Sequence, residues 1–118
     1  MRTALISFCL LLLAGCTDNK RIPGDIFPKE KMEKVLWDMI LAERFSSQYI
    51  MKDSASLNVK LETMKLYEQV FQANNTTRAE FIKSYKYYLN RPDITKSIFD
   101  SLAVRGNRNR DSLYKSMK

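Results

Sequence analysis

Apolar side chains return every three or four positions through much of this chain, which indicates helices that pack through one face. Between residues 28 and 50, one face of a helical wheel collects Met32, Val35, Leu36, Met39, Ala42 and Ile50. Pro28 suits the first turn of such a helix, where a missing N–H costs nothing. The pattern therefore predicts a helix over residues 28–50.

Three further helices are expected after the first. Residues 57–73 and 78–90 repeat the helical spacing, and Thr77 and Glu80 form a capping-box pattern at the start of the second of these stretches. A short fourth helix is expected to end near Gly106, which would serve as its C-cap. The predicted fold class is therefore all-α, a small bundle of three main helices plus a short fourth.

The stretch 57–73 is apolar on two opposite sides. One side carries Leu57, Leu61, Met64, Tyr67 and Phe71, and the other carries Val59, Leu66 and Val70. Such a helix either lies at the centre of a bundle or reserves one side for another chain.

Two side chains of the first helix lie off its main apolar face. They are Trp37 and Leu41, and the indole either covers a neighbouring loop or anchors a partner, as aromatic residues often do in interfaces. With the second helix included, the candidate partner contacts are Trp37, Leu41, Val59, Leu66 and Val70.

Composition narrows the chemistry that is open to this chain. It contains no histidine, and therefore lacks the usual acid–base residue at neutral pH and the commonest metal ligand. Ser-His-Asp and Cys-His nucleophiles are excluded for the same reason, and no Gly-rich phosphate loop is present. Glu43, on the apolar face of the first helix, is either paired with a core tyrosine or basic residue or is a tuned functional acid. We expect no enzyme activity, no cofactor and no metal.

The first fifteen residues have the character of a secretory signal peptide. Arg2 supplies a positive charge, and residues 4–13 are apolar apart from Ser7 and Cys9. A run of about ten residues is too short to cross roughly 30 Å of hydrocarbon as a helix. A basic start, a short apolar core and small residues at the exit instead predict an export signal.

The residues Leu13-Ala14-Gly15, followed directly by Cys16, resemble the lipobox of bacterial lipoproteins. The resemblance implies cleavage between Gly15 and Cys16, a diacylglyceryl group on the cysteine thiol and acylation of the new amine. Cys16 would then be the first residue of the mature protein and its membrane anchor. Cys9 would leave with the signal, so neither a free thiol nor a disulfide would remain.

The chain divides into four predicted segments. Residues 17–27 carry Pro23 and Gly24 among polar side chains and are expected to be a linker of at most about 35 Å. The segments are a signal peptide (1–15), the lipidated cysteine with its tether (16–27), a helical domain (28–104) and a basic C-terminal tail (105–118).

Residues 22–104 are similar to a family of short Bacteroidota envelope lipoproteins that is known only as a domain of unknown function. The similarity lies in "IPGDIFPKEKMEKVLWDMILAE" (22–43), "YEQVFQANNTTRAEFIKSYKYY" (67–88) and the final helix that begins at Pro92. These motifs are mainly core and cap positions. The resemblance implies a helical fold and an envelope location, and it brings no catalytic or binding residues.

The same resemblance implies a location and a modification. Lipoproteins of that phylum reach the cell surface when acidic residues closely follow the cysteine, but here one acid precedes two bases in residues 17–21. The periplasmic side of the outer membrane is therefore expected. Asp53-Ser54-Ala55 resembles the O-glycosylation pattern of the phylum, which makes Ser54 a candidate site.

The C-terminal tail is strongly basic. Residues 105–118 hold Arg105, Arg108, Arg110, Lys115 and Lys118 against Asp111 alone. Such a segment either contacts anionic lipid or lipopolysaccharide or is a solvated, frayed terminus. The candidate contacts for an anionic ligand are Arg105, Arg108 and Arg110.

These observations favour a membrane-anchored, non-enzymatic accessory lipoprotein that docks on another envelope protein. The alternative is a binding module for an anionic envelope ligand, which would use the basic surface and tail. Nucleic acid is not an expected partner, because Tyr85 and Tyr88, which alternate with basic residues, belong to the predicted core stripe.

Overall fold

Four α-helices form a small bundle in the computed structural model of this chain, which describes residues 21–50, 52 and 58–117. They are α1 (Lys29–Phe45), α2 (Val59–Ala73), α3 (Arg78–Leu89) and α4 (Pro92–Ser116), and a π-helical turn at Ser46–Ile50 follows α1. These described residues contain no β-strand. The predicted all-α class is confirmed.

Helix α1 lies at the centre of the bundle. It contacts α2, α3 and α4, and it buries side chains on two sides, with Met32 and Val35 on one and Trp37 on the other. The central position considered for the stretch 57–73 therefore belongs to α1. The sequence had already placed Trp37 away from the main apolar face, and this second buried face is what allows three helices to surround α1.

The segment before α1 is part of the core. Ile26 and Phe27 are buried, and Ile22 packs against the same cluster. The backbone N–H of Phe27 donates to Ser84 Oγ at 2.9 Å, and the Tyr88 hydroxyl donates to the Phe27 carbonyl at 2.8 Å. The prediction that residues 22–27 belong to a free tether is wrong.

Local sequence signals set the ends of α2 and α3. Asn58 Oδ1 accepts from the backbone N–H of Leu61, which caps α2. The predicted capping box is confirmed, because the Glu80 carboxylate accepts from Thr77 N–H while Thr77 Oγ1 accepts from Glu80 N–H. Asn75, between the two helices, has φ 48°, a left-handed conformation that asparagine tolerates better than most residues.

The prediction of a short fourth helix that ends near Gly106 is wrong. Helix α4 has 25 residues, begins at Pro92 and passes through Gly106 to Ser116. One internal glycine costs about 1 kcal/mol relative to alanine, which is too little to stop a helix that is already packed at Ile98 and Leu102. Every residue from 107 to 117 is exposed, and these last turns of α4 together with its C-cap residue Met117 are hereafter the arm.

We predict that Ser84→Ala destabilises the bundle by about 1–3 kcal/mol, because the buried N–H of Phe27 loses its acceptor. Ser84 is fully buried. Urea unfolding followed by circular dichroism measures the free energy of unfolding. Ser47→Ala, at an exposed position, is the matched control and should stay near wild type. Equal stability of Ser84→Ala and wild type would contradict the role given to this hydrogen bond.

Candidate interaction surfaces

Three of the predicted site residues lie outside the described part of the chain. They are Gly15 and Cys16, at the proposed cleavage and lipidation point, and Ser54, the candidate glycosylation site. Their predictions therefore rest on the sequence alone.

Trp37 packs inside the bundle. Its side chain is 9% exposed, and the Arg105 guanidinium carbon lies 5.3 Å from the centroid of its ring. This distance is within the range of a cation–π contact. Trp37 is therefore covered by the protein's own fourth helix, and it is not an exposed anchor for a partner.

Val59, Leu66 and Val70 do not form a free face either. All three are half-buried, and Val70 packs against the core cluster. Thr63 lies on the same side of α2, and its hydroxyl is 2.6 Å from the Ser46 hydroxyl. This side of α2 therefore faces α1 and the turn that follows it.

The opposite side of α2 is the more open one. Leu61 and Met64 are exposed there, whereas Phe71, further along the same side, is buried beside Phe81 with ring centroids 5.4 Å apart. The sequence pattern found the two apolar sides correctly. It could not decide which one the other helices cover.

Leu41 is the one exposed residue among the five predicted partner contacts. It lies one helical turn before Phe45, and Phe45 packs against Tyr49 with ring centroids 4.9 Å apart. The exposed fractions of the three side chains are 40%, 49% and 59%. We call Leu41, Phe45 and Tyr49 the aromatic stripe. Sequence reasoning missed Phe45 and Tyr49, although each follows the preceding member of the stripe by four residues in the sequence.

The three arginines proposed to hold an anionic ligand do not converge on one site. Arg105 and Arg108 line a shallow cleft of about 390 Å³ together with the carboxylates of Glu33 and Asp100. Arg110 lines a different part of α4, beside Leu113 and Met117. The three arginines therefore line two different depressions, and binding along an extended surface is compatible with their positions.

Glu43 is paired with a tyrosine, as one of its two interpretations predicted. The Tyr67 hydroxyl donates to Glu43 Oε2. This hydrogen bond, together with partial burial and the negative charge of Glu43, raises the pKa of Tyr67 from 10.0 to about 12. The pair joins α1 to α2.

The residues that the structure describes contain no helix that is both long and apolar enough to cross a membrane. They also contain no group of three or more His, Cys, Asp or Glu side chains placed to hold a metal ion.

The described residues thus form a small all-α bundle with one extended helix and several exposed large apolar side chains. Residues 23–112 match the family described as a domain of unknown function, DUF4296. Because the match covers most of the chain, the protein belongs to this family. The matched range includes the first half of the arm and so extends beyond residue 104, where the helical domain was predicted to end. No curated protein and no solved structure matches the chain.

We predict that part of the alkaline loss of stability comes from Tyr67. Its folded-state pKa of about 12 exceeds the ordinary value of 10.0, so the folded state holds this proton more tightly than the unfolded state. The contribution of Tyr67 to the free energy of unfolding is fully present below pH 10 and falls as the pH rises towards about 12. Guanidinium unfolding at several pH values should show a shallower decline for Tyr67→Phe than for wild type.

Tyr85→Phe is the control for that measurement, since Tyr85 is also half-buried on the bundle. Tyr67→Phe should show the shallower alkaline decline of the two variants. Parallel declines for wild type and Tyr67→Phe would contradict the coupling between Tyr67 and Glu43.

Proposed function

We propose that this protein is a membrane-anchored, non-enzymatic accessory lipoprotein of the bacterial cell envelope that docks on another envelope protein. The lipobox-like residues that end at Cys16 support the anchor, and the resemblance to Bacteroidota lipoproteins supports an outer-membrane location on the periplasmic side. The observation that carries the docking proposal is the aromatic stripe.

The aromatic stripe has the composition of a protein contact. Leu41, Phe45 and Tyr49 follow one another at successive helical turns and are all substantially exposed. Aromatic side chains are enriched in the centres of protein interfaces, and Tyr in particular combines an apolar ring with a polar tip. A contiguous exposed patch of this kind marks an interaction site more often than scattered apolar residues do.

The surroundings of the stripe suit a rigid docking element. Ser46, which lies between Phe45 and Tyr49 in the chain, is buried and contacts Thr63 of α2. The π-helical turn is therefore fastened to the bundle from behind while its aromatic rings face outward. A partner would meet side chains that are already held in place, which lowers the entropic cost of binding.

We predict that Cys16→Ser abolishes lipid attachment and that Cys9→Ser leaves it intact. The thiol of Cys16 is the proposed acceptor, whereas Cys9 lies in the segment that cleavage would remove. Intact-mass spectrometry of the membrane-extracted protein should give a chain that begins at Cys16 and carries acyl groups. An unmodified mass for wild type would contradict the anchor, and the same spectrum tests Ser54 by showing whether a glycan is present.

We also predict that a photo-crosslinking amino acid at position 45 captures one recurrent envelope protein in living cells. The lipidated full-length protein is used, and the control carries the same probe at Ile82, an exposed apolar position on α3. Phe45→Ala combined with Tyr49→Ala should reduce co-purification of the captured protein at least tenfold while leaving the helical content unchanged. Equal capture from positions 45 and 82, or none from position 45, would contradict the docking proposal.

A second candidate function is favoured by the arm. Arg108, Arg110 and Lys115 are exposed there, and Asp111 is the only acidic side chain among residues 107–117. This surface suits an anionic envelope ligand, such as a lipid headgroup or lipopolysaccharide. This surface lies on α4, whereas the aromatic stripe lies on α1 and the π-helical turn that follows it.

A further inference from the structure

The arm carries apolar side chains that no other described helix covers. Leu113, Tyr114 and Met117 are 58%, 65% and 81% exposed. Together with Arg110 they line one shallow depression of about 330 Å³ at the end of α4. The last turns of the helix therefore have an apolar side with a single cation in it.

Basic residues lie along the other side of the arm. Arg108 and Lys115 line a second depression with Asp111 and Ser112, and Arg110 on the apolar side adds a further positive charge. Arg105 precedes the arm, and Lys118 follows in the sequence. A second copy of the arm would meet this charge with repulsion, whereas an anionic surface would be attracted to it.

We propose that the arm lies in the headgroup region of an anionic lipid bilayer, with Leu113, Tyr114 and Met117 turned towards the acyl chains. This inference rests on the second proposed function and names its ligand. A helix with apolar residues on one side and basic residues around the other is the form that binds in the plane of a membrane surface. Tyr114 fits the boundary region, and Arg110 can extend its guanidinium to the phosphates while its stem stays among the apolar side chains.

The direction of α4 explains what such a contact would do. The Thr95 hydroxyl donates to the Tyr88 carbonyl, and the Tyr88 hydroxyl donates to the Phe27 carbonyl, so α4 begins near the start of α1. Arg105 lies beside Trp37, further along both helices. The two helices therefore run in the same direction, and the arm lies at the end of α4 that is far from the start of α1.

The distance to the proposed anchor is short. Because Ile22 already packs against the core, only residues 17–21 separate Cys16 from the bundle. Fully extended, they reach roughly 20 Å. A lipid at one end of the bundle and the arm at the other would hold the domain on its side against the membrane. The arm would thus set the orientation of the domain, while the acyl chains supply the anchorage.

The test uses the chain from Thr17 to Lys118, without signal or lipid, and flotation with vesicles. Among the residues that the structure describes, the buried hydrophobic side chains lie between Ile26 and Leu102, and the Thr17–Lys118 chain contains all of these. We expect it to float with phosphatidylglycerol-containing vesicles, to stay unbound with phosphatidylcholine alone, and to be released by salt. Replacing Arg108, Arg110 and Lys115 with Gln should weaken binding about 100-fold, since each basic residue at such a surface contributes roughly fivefold.

A charge-matched control removes three basic residues elsewhere, at Arg44, Lys60 and Lys86, which are exposed on α1, α2 and α3. The affinity of this control variant for the vesicles should fall by less than about tenfold. An equal loss in both triple variants would show general charge attraction and overturn the proposal. So would the absence of binding by wild type.

A second variant tests the apolar contact. Leu113→Ser combined with Met117→Ser keeps every charge and should weaken binding at least tenfold, with circular dichroism as the check on helical content. Unchanged binding would show that the arm contacts headgroups without entering the interface, against the proposal. Inhibition by soluble glycerol phosphate as strong as by vesicles of equal phosphate content would point to a phosphate site and also overturn it.

Crosslinking in cells separates a membrane from a protein ligand. A photo-crosslinking amino acid at position 113 of the lipidated protein should capture phospholipid. Capture of one protein instead would assign the arm to a protein interface. Neither result alters the experiment at position 45, so the arm proposal and the docking proposal can fail independently.

Discussion

The backbone of Phe27 is the point on which the arrangement of the bundle depends. Its N–H donates to Ser84 and its carbonyl accepts from Tyr88, so two residues of α3 hold both backbone polar groups of one residue that lies just before α1. Buried backbone groups that lose such partners are costly, and both partners here are fully or almost fully buried. The Tyr88 carbonyl in turn accepts from Thr95 of α4. One chain of contacts therefore fixes where α1 and α4 begin relative to α3.

Patterns that depend on nearby residues were predicted correctly from the sequence. The helical spacing gave the all-α class, and the Thr77–Glu80 capping box has the expected reciprocal hydrogen bonds. Both signals act within a few residues along the chain, where spacing alone determines which groups can meet. The Glu43–Tyr67 pair was also anticipated in kind, because a carboxylate on an apolar face needs a hydrogen-bond donor.

Features that depend on how the helices pack against one another could not be predicted from nearby residues in the same way. The sequence showed two apolar sides on α2, but the half-buried side with Val70 and the open side with Leu61 differ only through the position of α1. Residues 22–27 contain Pro23, Gly24 and Asp25, which are typical of a linker, beside three large apolar side chains. They are nevertheless held by Ser84 and Tyr88, which lie more than fifty residues later in the chain. The length of α4 was missed because Gly106 has the local character of a C-cap, and tertiary packing before it outweighs that preference.

The arm shows how packing in one half of a helix can support exposed residues in the other. A helix shorter than about 12–15 residues is marginal in water, because its first turn is costly to form. In α4 the helix is already formed and packed against the bundle at Ile98 and Leu102, so each residue after them only extends an existing helix. The extension still leaves Leu113 and Met117 in water, and their side chains gain nothing from the bundle itself. A surface that covers these side chains would therefore stabilise the last turns of α4 when it binds the arm. Helix formation in the arm and binding of the arm to that surface are thus thermodynamically linked.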